Sequence, residues 1–198
     1  MKKNKEKSLI DSIISPSLGY TDNFPKRALW REIVEIYNGE FKVFYNSGQE
    51  LERHKVTIPY KKWKIIISVS DTRPLKFSTV FSYNQEFEFF LSWEGIIEKI
   101  AKKFGKKEFE FGWKDFDNHY LIEGSNEEYV KQVITQKVQE IILKNNIYSI
   151  SYQTDLNSRS SELLGVIQRQ AGEKEQIIEI IEMYKLMIDN LNKKNIIK

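Results

Sequence analysis

The sequence contains no cysteine. Neither a disulfide framework nor a thiolate-ligated metal site can therefore form, which is typical of proteins from a reducing compartment. No apolar run approaches the ~18 residues that a membrane-spanning helix needs, and the apolar residues 9–14 are too few for the core of a secretory signal. These absences predict a soluble, cytoplasmic protein without a transmembrane segment.

The motifs of common enzyme classes are also missing. The sequence has no glycine-rich phosphate loop, no nucleophile elbow and no zinc-protease motif. We therefore expect no cofactor, and the pattern favours a protein that is not an enzyme.

Positive charge is concentrated at the two ends of the chain. The net charge is +3, and residues 1–8 supply it with four lysines against one glutamate. Residues 9–192 hold 24 basic and 27 acidic side chains, a net charge of −3. This distribution disfavours a nucleic-acid surface on the folded body, and we expect no specific nucleic-acid partner.

The length and composition are those of one large domain, because 198 residues with 40% hydrophobic content can form a sizeable core. Residues 1–19 combine a charged start with a helix-breaking Ser-Pro-Ser-Leu-Gly segment and are predicted to be a mobile basic tail. Residues 20–192 are predicted to form a single α+β domain, and residues 193–198 a basic C-terminal tail.

The clearest local pattern lies in residues 116–143. Tyr120 and Ile122 alternate as in a strand, and Gly124 permits a sharp turn. Ser125 with Glu128 three residues later forms a capping-box pattern. Apolar residues then recur every three or four positions, which predicts one helix of about five turns.

Alternation elsewhere predicts further strands at residues 41–45, 63–70, 77–83, 87–93, 109–113, 148–153 and 163–169. Helices are predicted from Asn23 onward, over residues 95–104 and over residues 173–192. Consecutive strands joined by short turns indicate an antiparallel meander. The predicted fold class is α+β, a largely antiparallel sheet with three to four helices packed mainly on one face.

The segment "FDNHYLIEGSNEE" resembles a strand–turn–capped-helix segment found in uncharacterised bacterial, Bacteroidota-like proteins that are grouped as domains of unknown function. The resemblance extends from about residue 63 to residue 191 and includes the "YKKWKI" strand. It implies a fold and no catalytic residue, because those relatives have no established activity. They commonly have a membrane-spanning segment, and we expect this chain to be the soluble domain alone.

Three polar residues are weak candidates for a catalytic or metal site. Asp115, Asp117 and His119 would share one face if the neighbouring strand extended that far, which suits a hard metal ion or an acid–base pair. The alternative interpretation, polar decoration of an exposed edge or turn, is favoured because no fourth ligand is identifiable. His54, in a basic segment, is interpreted as a surface residue.

Two lysine-rich patterns raise the alternative of a weak polyanion-binding protein. The first is a helix face with Lys99, Lys102, Lys103 and Lys106, which a solvated face also explains. The second interleaves basic residues with Tyr60 and Trp63, as surfaces for single-stranded nucleic acid do. Alternation, however, turns Trp63 away from Lys62 and Lys64, which favours a core tryptophan beneath a solvated lysine row.

The C-terminal helix has a wide apolar surface and suggests an interaction module. Ile181 and Tyr184 would face the core, whereas Met183, Leu186 and Met187 could form an outer stripe that binds a protein partner or a second copy. We therefore interpret the protein as a non-catalytic interaction or structural module. An enzyme or polyanion binder is the alternative.

Overall fold

The structure is a computed structural model, and it describes residues 24–45, 52–70, 73–93, 107–167 and 173–198. The strands are β1 (Glu40–Tyr45), β2 (Glu52–Tyr60), β3 (Trp63–Ser70), β4 (Arg73–Ser82), β5 (Phe89–Trp93), β6 (Lys107–Glu108), β7 (Tyr120–Gly124), β8 (Ile147–Asp155) and β9 (Ser160–Ile167). The helices are α1 (Phe24–Tyr37), α2 (Lys114–Asp117), α3 (Glu127–Val133), α4 (Gln136–Lys144) and α5 (Lys174–Lys193). The predicted tail over residues 1–19, the Asn23 cap and the helix over residues 95–104 lie outside these ranges.

The strands form one nine-stranded sheet in the order β1-β2-β3-β4-β9-β8-β5-β7-β6, and every neighbouring pair is antiparallel. Strands β1 to β4 form an antiparallel meander, of which the sequence analysis predicted β1, β3 and β4. Strands β9 and β8 then lie between β4 and β5, so the meander does not continue through β5. The predicted fold class, α+β with a largely antiparallel sheet, is confirmed.

Strand β2 was missed by the sequence analysis. Its buried positions are Glu52, His54, Val56 and Ile58, so two of the four inward-facing side chains are polar. Inward-facing charge breaks the usual apolar alternation of a half-buried strand. The interpretation of His54 as a surface residue was wrong for the same reason, because its side chain is only 5% exposed.

Helix α5 is the centre of the core. Contacts join it to α1, α3 and α4, and it also packs against the sheet. Eight of its side chains are buried, namely Ile177, Ile180, Ile181, Met183, Tyr184, Met187, Ile188 and Leu191. A helix covered on more than one side needs an apolar surface wider than a single stripe. The wide pattern in the sequence therefore reflects burial by the chain itself.

A close approach fixes α5 on the sheet. The hydroxyl of Tyr184 donates to the carbonyl of Phe77 at 2.9 Å, and burial raises the pKa of this phenol, which keeps it a donor. The neighbouring strand carries Gly165, where a Cβ atom would lie 2.4 Å from the Tyr184 hydroxyl. Glycine at this position therefore gives the tyrosine ring room against β9.

The helix predicted to begin at Ser125 and run for five turns is two helices, α3 and α4. Ile134 leaves the helical conformation and Thr135 is extended, which separates them. The predicted cap was also wrong, because the side chain of Asn126 accepts from the Tyr129 N–H at 3.1 Å. Ser125 is used across the sheet, where its hydroxyl contacts the backbone of Glu88. Because this segment forms two helices and residues 114–117 form the one-turn helix α2, the described residues contain five helices.

The C-terminal residues are part of the domain. The Lys198 N–H donates to the Ser82 carbonyl at 2.7 Å, and Trp63 Nε1 donates to the Lys198 carbonyl at 3.0 Å. Ile196 and Ile197 are buried beside them. The prediction of a separate tail over residues 193–198 is corrected, because its two isoleucines complete the core below β3 and β4.

Replacing Gly165 by alanine should destabilise the fold, because the added methyl group would overlap the Tyr184 hydroxyl. We expect a loss of about 1–3 kcal/mol, the usual range for overpacking. Urea denaturation of wild type, Gly165→Ala, Tyr184→Phe and the double variant would measure it. The double variant should lose less than the sum of the single variants, and strict additivity would contradict the proposed contact.

Candidate functional site

The three predicted catalytic candidates are not arranged as expected, and one of them, Asp117, has a structural role. Residues 114–117 form a helical turn, so Asp115, Asp117 and His119 do not share a strand face. The carboxylate of Asp117 accepts from the Phe111 and Gly112 N–H groups at 2.9 and 2.8 Å. These bonds hold residues 109–113 in an irregular conformation, which corrects the strand predicted there.

His119 and Asp115 are exposed and meet only through the backbone, where His119 Nδ1 lies 2.6 Å from the Asp115 carbonyl oxygen. A 470 Å³ cavity nearby is lined by Asp117, but neither Asp115 nor His119 lines it. Among the residues that the structure describes, no group of three or more histidine and acidic side chains is placed to hold a metal ion. The three residues therefore do not converge on a reaction site.

The predicted outer stripe on α5 is not a surface. Met183 and Met187 are both 0% exposed, and only Leu186 of the three is partly accessible. The two methionines face α5's neighbours within the same chain and not a partner. The basic residues Lys99, Lys102, Lys103 and Lys106 lie outside the described ranges.

A buried ionic cluster joins α1 to the edge of the sheet, and the sequence analysis did not identify it. Arg27 on α1 donates to the Glu52 carboxylate through Nε at 2.7 Å and through Nη2 at 2.5 Å. The same Nη2 donates to the Tyr45 hydroxyl at 3.1 Å, and His54 Nε2 donates to Glu52. The signal was the period-two spacing of Glu52 and His54 with Val56.

The cluster changes the acidity of Glu52. Burial alone would raise the pKa of this carboxyl, but the hydrogen bonds from Arg27 and His54 outweigh it and lower the pKa to about 2. A bidentate arginine–carboxylate pair also fixes geometry. Since the imidazole of His54 is buried and bonded to Glu52, the cluster serves to attach α1 to β2.

The opposite side of the sheet carries an accessible basic surface. Strand alternation directs Lys42, Arg53, Lys55, Lys64 and Lys76 away from the helices, and all five are exposed. We call these five residues the basic face. At the described positions of β1 to β4 that point this way, Glu40 is the one acidic side chain, and it pairs with Lys42 at 2.7 Å. Arg53, Lys55, Lys64 and Lys76 form no ion pair with another described residue.

Strand register brings the charges of the basic face close together. Lys42 lies directly opposite Lys55, Lys55 opposite Ser68, and Ser68 opposite Lys76. Like charges directly opposite each other on neighbouring strands are destabilising. The sequence analysis expected a solvated lysine row above a core tryptophan, and Trp63 is indeed buried on the far side.

A groove of about 540 Å³ runs along the end of the basic face. Its lining includes Arg53, Lys55 and Lys76 together with Phe44 and Pro74. Phe44 is 47% exposed, which is high for a phenylalanine on a sheet. The groove therefore offers cations, serine hydroxyl groups and apolar surface in one place.

Replacing Met187 by aspartate should unfold the domain, because the new carboxylate would be buried without a partner. Such a group costs several kcal/mol, a large share of a total stability of ~5–15 kcal/mol. Circular dichroism should show loss of structure, whereas Asn192→Asp, an exposed position near the end of the same helix, should stay folded. A folded Met187→Asp protein with an altered oligomeric state would restore the outer-stripe hypothesis.

The stability of the protein should fall in acid through Glu52. Its folded pKa of about 2 is below the ordinary 4.5, so the carboxylate stabilises the fold above pH 4.5 and this contribution is lost as the pH falls towards 2. The loss should be on the order of 2 kcal/mol. Urea denaturation over this pH range would measure it against the double variant Arg27→Met/Glu52→Leu, which lacks the titrating group. Parallel curves for the two proteins would contradict the assignment.

Comparison with known proteins gives the fold and no more. No protein-family model matches the chain, and no curated protein matches it. A similar solved structure is the crystal structure of the mycobacterial trehalose monomycolate transport factor A, TtfA, with a TM-score of 0.58 and 7% sequence identity. The match covers 86% of this chain and 96% of that chain. Within the described ranges, no helix has the length and apolar character needed to cross a membrane.

Proposed function

We propose that this protein is a non-catalytic protein-interaction module and that the basic face is its binding surface. The observation that carries the proposal is the set of exposed basic side chains around the groove beside Phe44, namely Arg53, Lys55 and Lys76, which form no ion pair with another described residue. Exposed apolar and charged groups that destabilise the isolated domain are typical of surfaces that a binding partner covers. The cysteine-free sequence supports a cytoplasmic location for this activity.

The enzyme alternative has less support. Asp117 holds the backbone of residues 111–112, and His119 and Asp115 are exposed. Glu52 is buried and accepts hydrogen bonds from both Arg27 and His54. A catalytic site needs acid, base or nucleophile to converge on one reacting atom. The described polar groups that come together instead hold backbone segments or secondary structure in place.

Site-specific photo-crosslinking in the native host tests this proposal. A photoreactive phenylalanine analogue in place of Phe44 should give a discrete protein adduct, and the added change Lys55→Glu should abolish it. The same analogue at Ile36 is the matched control, since Ile36 is 49% exposed but lies on α1, on the helix side.

Adducts at Ile36 with none at Phe44 would place the interaction on the helix side and reject the basic face. A Phe44 adduct that survives Lys55→Glu would show that the cations do not hold the partner. Both variants should keep the melting temperature of the wild type, because positions 44 and 55 point away from the core.

A further inference from the structure

We propose that the basic face binds a short, acidic, extended polypeptide segment that carries apolar side chains between its carboxylates. This inference rests on the interaction module proposed above and specifies the chemistry of its partner. The reasons are the spacing of the cations, the lining of the groove, the charge of the surrounding sheet and the charge of the chain's own remaining segments.

The spacing of the cations fits a short segment. Lys42, Lys55 and Lys76 lie in one register row that crosses β1 to β4. Neighbouring strands are about 4.8 Å apart, so this row is about 14 Å long, the length of four or five extended residues. Lys42 already pairs with Glu40, so carboxylates presented along such a segment would chiefly neutralise Lys55 and Lys76, which have no described acidic partner.

The groove adds sites for apolar and neutral groups. Phe44, Val69 and Pro74 line it beside the cations, and Ser68 and Ser70 supply hydroxyl donors. Lysine and arginine neutralise carboxylates, and Phe44 can cover an apolar side chain that lies between them. A purely ionic ligand would leave this apolar surface exposed to water.

The surrounding charge disfavours a long polyanion. On the same side of the sheet lie two exposed carboxylates, Glu162 of β9, which is paired with Val80, and farther along Glu108 of β6. A nucleic acid or an anionic lipid surface that extended across the sheet would meet these carboxylates.

Stacking also disfavours single-stranded nucleic acid. Binding of such strands depends on several exposed aromatic rings. The groove is lined by two exposed aromatic residues, Phe44 and Tyr45. The hydroxyl of Tyr45 accepts from Arg27 on the helix side, which leaves Phe44 as the one aromatic residue at the described positions of β1 to β4 that face this way. Tyr60 and Trp63 point to the other side, where they donate to Asp189 and to the Lys198 carbonyl.

The longer undescribed segments of the chain do not match the charge of the surface. The two longest are residues 1–23, with four lysines against three acidic side chains, and residues 94–106, with four lysines against two. Both are net positive and would be repelled by the basic face. Neither of these two segments supplies the charge complement, and the shorter undescribed segments 46–51 and 71–72 hold one acidic residue each, too few for a row of three cations.

Fluorescence anisotropy with defined probes tests the proposal. The first probe is a labelled peptide of about ten residues that repeats the block Glu-Glu-Leu-Leu, so that each face of the extended chain carries both glutamate and leucine. Its control replaces every glutamate by glutamine. The full-length protein should bind the acidic peptide saturably and bind the neutral peptide at least about tenfold more weakly, with an affinity that falls as salt rises.

Two matched variants locate the site. Lys55→Glu should weaken binding of the acidic peptide at least about tenfold, because it reverses the central charge of the row. Lys137→Glu makes the same change at an exposed position of α4, on the helix side, and should leave the affinity within about twofold. Unchanged melting temperatures for both would show that folding is intact.

A thymidine oligonucleotide and vesicles of phosphatidylcholine with phosphatidylglycerol are the competing probes. Tighter binding of either one than of the acidic peptide would overturn the proposal, as would an acidic-peptide affinity that Lys55→Glu leaves unchanged. If no acidic peptide binds but the Phe44 adduct still forms and depends on Lys55, the interaction module stands and the partner is not an acidic segment. If neither result appears, both proposals fail.

Discussion

The packing of α5 against the sheet is the constraint on which the rest of the fold depends. Tyr184 reaches the Phe77 carbonyl because Gly165 presents no side chain in its path. The contact brings the helix close to β4 and β9, two strands that are far apart in the sequence but adjacent in the sheet. Around α5, the helices α1, α3 and α4 then pack on the same side.

Because these helices cover one side of the sheet, the other side of β1 to β4 faces solvent. Strand alternation divides each strand between a core face and an outward face, so the apolar positions Val56, Ile65 and Phe77 turn towards α1 and α5. The intervening lysines and Arg53 must then point outward together. Lys42 is paired with Glu40, but Arg53, Lys55, Lys64 and Lys76 have no described acidic partner, which is why we propose this face as a binding surface.

The buried cluster of Arg27, Glu52 and His54 shows how the edge of the sheet is held. Helix α1 contacts β1 and β2, at the end of the sheet that is farthest from β6. The bidentate Arg27–Glu52 pair fixes the position of α1 relative to β2, whereas apolar contacts alone would let the helix slide along the sheet. Glu52 and His54 take interior positions of β2. Arg53 and Lys55 alternate with them, so they point outward and belong to the basic face.

The sequence by itself determined the elements whose pattern is local. Alternation identified most of the strands, and the apolar periodicity of residues 177–191 identified a helix, but only the tertiary structure showed that its wide apolar surface is buried by the chain itself. Local spacing could not distinguish the true cap Asn126 from Ser125, because both are good capping residues and the choice depends on the contact between Ser125 and Glu88. It also missed β2, since Glu52 and His54 become suitable interior residues only when Arg27 is beside them. The basic face became visible only with β2 placed between β1 and β3, which brings Lys42, Lys55 and Lys76 into one register row. Only the tertiary structure decided the position of β9 and β8 between β4 and β5, because long-range strand pairing leaves no periodic trace in the sequence.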